Sequence, residues 1–293
     1  MAARRKGIGF VRYLVCLYPH AVHAEDEDGG VPFHHACSGG SIDVCKYLLG
    51  LWPESLTKTD NEGWAPIHWA SDFGDENFGN DYKLAAEIIS FLLENDASLA
   101  SIPTPQKELP LHLCCQRSFD CTGALELLFN NYPDAICMRA GEDNQLPIEL
   151  VLNDCPRKRS FMEQQMQYHR LSQDIPALST PDQLGELALH QAVRDGATLG
   201  AIKLLVGGYP SAVRVANANG DYSLHIACAR PDGFGVVSYL MAQHPPALLF
   251  RNIEDLLPLH ILCNAQAEEG GGIQYNDCLF KMLLAAPETL FVS

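Results

Sequence analysis

Two reactive residue types recur at a regular interval along this chain. Histidine closes a short phrase in Pro32-Phe33-His34, Pro66-Ile67-His68, Pro110-Leu111-His112 and Pro258-Leu259-His260, with Ala188-Leu189-His190 and Ser223-Leu224-His225 as variants. Cysteine follows three residues later at Cys37, Cys115, Cys228 and Cys263. Imidazoles and thiols ligate metals, act as bases and attack as nucleophiles. A metal or catalytic site needs such groups to converge on one point. Copies spaced by about 34 to 44 residues instead form a ladder, the spacing of helical repeat arrays. The histidines His34, His68, His112, His190, His225 and His260 are therefore read as structural anchors at the turns, and the cysteines as small core residues. His20 and His23 near Glu25 and Asp26 lack zinc spacing, and the vicinal pair Cys114-Cys115 is read as helix packing before oxidant chemistry. No GxSxG, HExxH, phosphate loop or GxGxxG before a helix occurs. The expectation is a non-enzyme with no catalytic residue, no metal and no cofactor.

The elements that must position these anchors follow from their registers. Five residues before the anchor stand Gly29, Gly63, Lys107, Asn144, Gly185, Gly220 and Asp255, mostly types that tolerate positive φ. Eight residues before it stand Asp26, Asp60, Thr104, Gly141, Asp182, Asn217 and Asn252, mostly types that open turns through side-chain hydrogen bonds. Small residues after the anchor (Ala36-Cys37, Ala70-Ser71, Cys114-Cys115, Ala192-Val193, Ala227-Cys228) predict a short, closely packed helix that a proline can open. Apolar pairs such as Leu48/Leu49 and Leu205/Val206 precede Pro53 and Pro210, so a second helix is predicted to stop before each proline; Asn95-Asp96 replaces the proline once. Each unit reads as turn, short helix, loop, longer helix, stop.

These registers resemble the ankyrin-repeat family, whose Thr-Pro-Leu-His box opens the first helix behind an Asp and Gly hairpin. The resemblance spans 1–293 as one domain: a partial repeat over 1–30, then units beginning near 31, 65, 109, 146, 187, 222 and 257. It implies an all-α solenoid of stacked helix-loop-helix units with short hairpin turns. TPR and HEAT arrays lack the turn-Pro-Leu-His order. Departures are the loss of threonine at Val31, Ala65, Leu109, Leu146, Leu187, Tyr222 and Leu257, and Glu149 in place of the fourth histidine.

The composition narrows the partner. A formal charge of −16 argues against general binding to nucleic acid or an anionic membrane. No apolar run has membrane-spanning length. The apolar N-terminal stretch Ile8–Tyr18 resembles a signal peptide, but Tyr13–Val22 parallels Leu204–Val213 and reads as half a repeat. Eleven cysteines without a CxxC pair point to reduced thiols and a cytoplasmic, or nuclear, monomer. One basic run, Pro156-Arg157-Lys158-Arg159 with His169 and Arg170, is a solvated loop or a nuclear-localisation or phosphate-binding segment, and gives nucleic-acid binding over 156–170 as a second alternative function. Its unit, around 150–180, is expected to open most readily.

The resemblance places variable binding positions at the hairpin tips and on the first helices. The expected partner surface comprises Glu25, Glu27, Asp28, Asn61, Glu62, Glu142, Asp143, Glu186, Asp221 and Glu254, with Trp64 and Phe73 as apolar anchors. Such acidic tips suit a basic or mixed-charge protein segment, although they equally describe a soluble acidic surface. The insertions at 72–82, 153–160 and 264–276 are either tolerated loop drift or a second recognition edge. The function expected is a protein-protein adaptor or scaffold; the alternative is the substrate-recruiting region of a larger signalling enzyme or ubiquitin ligase, since the chain starts mid-repeat and ends in a final turn.

Overall fold

A computed structural model describes residues 7–39, 41–72, 82–118, 120–152, 155–230, 233–265 and 273–285. Among them the secondary structure is helical, without strands, and the fold is an all-α repeat solenoid. The chain divides into two compact units, 1–166 and 167–293. In the first, α1 (Ile8–Leu17) is followed by α2 (Pro32–Cys37), α3 (Ile42–Leu51), α4 (Pro66–Ser71), α5 (Tyr82–Asn95), α6 (Pro110–Gln116) and α7 (Thr122–Asn131). Then comes α8 (Pro156–Ser172), which runs into the second unit. That unit continues with α9 (Ile175–Ser179), α10 (Ala188–Arg194), α11 (Leu199–Gly208), α12 (Ser223–Cys228), α13 (Phe234–Gln243), α14 (Pro258–Ala265) and α15 (Ile273–Ala285).

Within each unit short helices pack on short helices and long ones on long ones. In the first, α2 contacts α4 and α4 contacts α6, while α3 contacts α5 and α5 contacts α7. In the second, α10 contacts α12 and α12 contacts α14, while α11 contacts α13 and α13 contacts α15. The core between the two rows is built from Phe33, Ile67, Leu111, Leu125 and Phe129 in the first unit and Leu189, Leu205, Leu224 and Leu262 in the second. Among the described residues short and long helices alike contact their counterparts in the neighbouring repeat, which completes their burial.

The anchor histidine ties the start of its short helix to the segment at the following finger. His68 Nδ1 accepts the N–H of Ala65 at 2.9 Å, and its Nε2 meets the carbonyl of Ile102 at 2.8 Å. His34, His112, His190 and His225 repeat both bonds, at 3.2–3.3 Å to the residue before the helix and 2.9–3.2 Å to a carbonyl beside the following finger, save 3.1 Å for the first bond of His190. Accepting a backbone N–H at Nδ1 places the ring proton on Nε2, so the second bond is a donation. The ring nitrogen thus accepts the N–H of the residue before the helix, the half of a capping box that the third helical residue contributes. His260 makes the first bond with Leu257, at 3.1 Å. Glu149 keeps the first bond, its Oε2 accepting from Leu146 at 2.7 Å, but an ionised carboxylate has no proton to donate.

The prolines stop the long helices as predicted. Tyr18, Trp52, Tyr132, Tyr209 and His244 all leave helical geometry at φ near −140° and ψ near 80°. A 3₁₀ turn not foreseen from the sequence follows each stop, and at the exceptional copy Asp96 opens the turn by accepting from Ser98. Two further departures concern the divergent repeat and the last one. Residues 156–160 belong to α8, not to a loop insertion: Pro156 lacks the N–H that a first helical turn leaves unused. Cys263 is exposed, unlike the fully buried Cys37, Cys115 and Cys228 at the same register. The insertions at 73–81 and 266–272, and Phe73 with them, lie outside the described residues.

Candidate interaction surface

Five of the seven hairpin fingers are each set by one side chain that accepts two backbone N–H groups. Asp60 Oδ1 accepts the N–H groups of Glu62 and Trp64 at 3.0 and 2.8 Å, and residues at the same register do likewise in Asp26, Asp182, Asn217 and Asn252. Three residues on, the chain turns through positive φ in all seven copies, from 52° at Asn144 to 80° at Gly63, and Lys107 does so without being Gly, Asn or Asp. Neighbouring fingers are hydrogen-bonded: Asn61 N–H to Asp28, Gly141 to Gln106, Ala218 to Leu184, and Ile253 to Asn219, all at 2.9–3.0 Å.

A second register crosses from finger to first helix. The free oxygen of the turn aspartate is bound by the residue just after the anchor histidine: Asp26 with His35 at 2.5 Å, Asp60 with the Trp69 indole N–H at 2.7 Å, and Asp182 with Gln191 at 2.9 Å. Burial opposes ionisation of Asp26, yet His35 and the N–H groups of Gly30 and Asp28 hold its carboxyl below the usual range. Where the turn residue is Asn or Thr, the position after the histidine is apolar: Leu113, Ile226 and Ile261.

In the first unit the predicted tips Glu25, Glu27, Asp28, Asn61, Glu62, Glu142 and Asp143 are all exposed. Glu25 pairs with Lys58 at 3.0 Å, and Asn61 Nδ2 donates to Glu27 at 3.3 Å. Trp64 is half-buried at the base of its finger, its ring 6.1 Å from that of His68 and its carbonyl held by His34. In the basic run beyond them Arg157 and Arg170 are exposed, and only Lys158 is buried. Lys158 is 0% exposed and donates to the carbonyls of Cys114, Cys115 and Arg117, while Arg159 donates to Val151.

In the second unit Glu186 does not stand at a tip. It is 5% exposed and held by Arg194 and by Asn217 Nδ2, the latter at 3.1 Å. Its position four before the histidine faces the residue four after it, as Glu108 faces Gln116 at 2.8 Å in the first unit. Asp221 is half-buried and accepts from Asn252 at 2.9 Å, while Glu254 is exposed. These two carboxylates border a groove of about 660 Å³ between the last two described fingers and the helices α12 and α14. Its apolar lining comes from Ile226, Ile261 and Leu256, with Ile253 at the finger tip 72% exposed. Sequence reading found Asp221 and Glu254 but missed the isoleucines. Their signal was present in the register: Ile226 and Ile261 share the position directly after the histidine.

Residues 1–80 match the family model for ankyrin repeats, in three copies. Residues 1–80 thus carry ankyrin repeats. No curated protein matches the chain. The finger and histidine registers of that segment recur well past it, to Asn252 and His260. Ankyrin repeats are protein-interaction modules, so the relevant chemistry is that of a binding surface. Among the described residues no group of three or more His, Cys, Asp or Glu is arranged to hold a metal, and no helix is long and apolar enough to cross a membrane.

Proposed function

We propose that this protein is a non-catalytic adaptor whose second unit seats a basic or mixed-charge segment of a partner protein in the groove between its last fingers. The observation that carries this reading is the groove itself, where Asp221 and Glu254 flank the exposed Ile253 and the half-buried Ile226 and Ile261. A segment with one or two aliphatic side chains beside a lysine or arginine matches that lining: the isoleucines supply apolar area, and the rim carboxylates select charge and speed encounter. The fingers are hydrogen-bonded to one another at Ile253 and Asn219, so little ordering is needed when the segment binds. The acidic tips of the first unit add long-range attraction for the same kind of partner. The abundance of free thiols supports a reducing compartment, cytoplasmic or nuclear.

Selection of a random peptide library on the immobilised protein tests the reading. Enriched peptides are expected to carry Lys or Arg beside Leu, Ile or Val, and their binding is expected to weaken at least about tenfold in the Ile253→Asp, Glu254→Lys double variant. Enrichment of acidic peptides, or undiminished binding by the double variant, refutes it.

A further inference from the structure

Long helices inside each unit are packed on two sides by others of their kind: α5 lies between α3 and α7, and α13 between α11 and α15. Among the described residues α1 has such a neighbour only in α3, and α15 only in α13. The faces this leaves are apolar. On α1, Phe10, Tyr13 and Leu17 follow one another at helical spacing along one stripe and are 43%, 61% and 51% exposed. On α15, Phe280 and Leu284 stand one turn apart and are 61% and 66% exposed. On the other long helices described, Leu51 at the last position of α3 is the one exposed large apolar side chain. A solenoid face that meets water is polar, whereas contiguous exposed apolar groups mark an interaction surface. Charge separates the two faces. The sequence holds Arg4, Arg5, Lys6 and Arg12 and no carboxylate before Glu25. From Leu257 onward it holds Glu268, Glu269, Asp277 and Glu288 against Lys281 alone, and Lys281 is paired with Asp277 at 2.6 Å.

We infer that the partner of these faces is a second copy of this chain, joined head to tail, with α15 of one copy packed on α1 of the next. The contact repeats between copies what α13 and α15 do within one: a long helix lies beside a long helix. Phe280 and Leu284 supply the apolar area that Phe10, Tyr13 and Leu17 lack a partner for. Pairing α1 with α1, or α15 with α15, sets like charges together, whereas α1 against α15 sets opposite charges together. A contact between two different surfaces leaves one of each free, so further copies add to it. This association replaces the monomer expected from the sequence. None of these five side chains lines the groove beside α12 and α14, so the binding of a partner segment there stands or falls separately.

Sedimentation velocity of the full chain over about a hundredfold range of concentration tests the inference. The average mass is expected to rise with concentration past that of a dimer, and to fall back as added salt screens the paired charges. Tyr13→Glu with Leu17→Glu spoils the first face, and Phe280→Glu with Leu284→Glu spoils the second. Each double variant alone is expected to lose at least about a hundredfold in self-affinity, because the contact would bury carboxylates without a partner. Mixed, the two are expected to form a one-to-one dimer and nothing larger, since each keeps the face that the other lacks. That dimer also shows that both are folded. Should either variant fail to fold, lysine crosslinking of mixed isotopically heavy and light wild-type protein decides. Lys281 of one copy is then expected to link to Lys6, which precedes α1 in the sequence, of another. A wild-type chain that stays monomeric, a folded double variant that still self-associates, a mixture of folded variants that stays monomeric, or links between copies that join only Lys281 to Lys281 overturns the inference. Capture of the monomer on phosphatidylserine vesicles through Tyr13 and Leu17 overturns it too, since α1 would then be a lipid-binding face.

Discussion

Replacing one anchor histidine by alanine tests the account of how the repeats are joined. His68 is fully buried, caps the N–H of Ala65 at 2.9 Å and donates to the Ile102 carbonyl, just before the following finger, at 2.8 Å. His68→Ala removes both bonds and leaves both backbone groups in a buried place. An orphaned buried polar group costs about 1–3 kcal/mol, so two of them cost about 2–6 kcal/mol. The loss is expected to be local to the α4–α6 junction, because a repeat array is stabilised by nearest-neighbour interfaces. Hydrogen exchange of the full chain therefore reads it better than a single global melt: protection of α4 and α6 falls while that of α12 and α14 holds. The same residue carries a pH signature. Burial first, with the nearby charges and hydrogen bonds opposing it, depresses the His68 imidazole in the folded state, as it does for His34, His112, His190 and His225. The unfolded chain then binds protons that the folded chain refuses. Stability is full above the ordinary histidine value near 6.5 and is lost as pH falls from there toward the depressed folded value, at up to about 1.4 kcal/mol per pH unit for each such histidine. His68→Ala should make the acid limb of the α4–α6 protection shallower as well as lowering it at pH 7.5. Destabilisation under about 1 kcal/mol, or an unchanged acid limb, refutes the reasoning.

Backbone conformation supplies a paired prediction. Lys107 holds φ at 64° where four of the other copies have glycine, so Lys107→Gly is expected to raise stability by up to about 1 kcal/mol in a denaturant titration. Gly63→Ala is expected to do the opposite, because its φ is 80° and an added Cβ meets Pro105 Cγ at 2.7 Å.

How far the sequence could be read depended on whether a role was tied to residue type. The turn positions were legible because Asp, Asn and Gly announce them, and the structure keeps the same geometry even at Lys107, whose type announces nothing. The unit starts were legible because a proline or small residue and a histidine stand in fixed order, and helices open beside Val31, Ala65, Leu109, Leu187 and Tyr222. Lys158 and Glu186 were not. A charged residue reads as exposed unless its partners are known, and theirs are distant in sequence: carbonyls 41 to 44 residues away for Lys158, and an asparagine 31 residues away for Glu186. The helix over 156–172 was hidden for the same reason, since its basic opening resembles a surface loop until Lys158 is placed. The groove was half legible: its carboxylates lie in the acidic pattern, whereas its isoleucines appear only when the positions after each histidine are compared.

That comparison also explains why some turns use aspartate and others asparagine. Aspartate has a second oxygen to satisfy, and Asp26, Asp60 and Asp182 take a donor from their own first helix: His35, Trp69 and Gln191. Asparagine has an amide to donate, and it appears where the preceding finger offers a carboxylate: Asn217 to Glu186 at 3.1 Å and Asn252 to Asp221 at 2.9 Å. The choice of turn residue is thus dictated by the neighbouring repeat. Asn252→Asp should keep the turn, because Oδ1 still accepts from Glu254 and Leu256, but it sets a carboxylate against Asp221 and has Ile261 where a donor would be needed. The lost hydrogen bond and the new repulsion together are expected to cost about 1–3 kcal/mol. Added salt should recover part of the loss by screening the two charges, and Asp221→Asn in the same chain should recover more by restoring an amide-to-carboxylate bond in the reverse sense. If Asn252→Asp is neutral, or if Asp221→Asn adds to the damage instead of relieving it, the two residues are not coupled and the turn alone selects its amino acid.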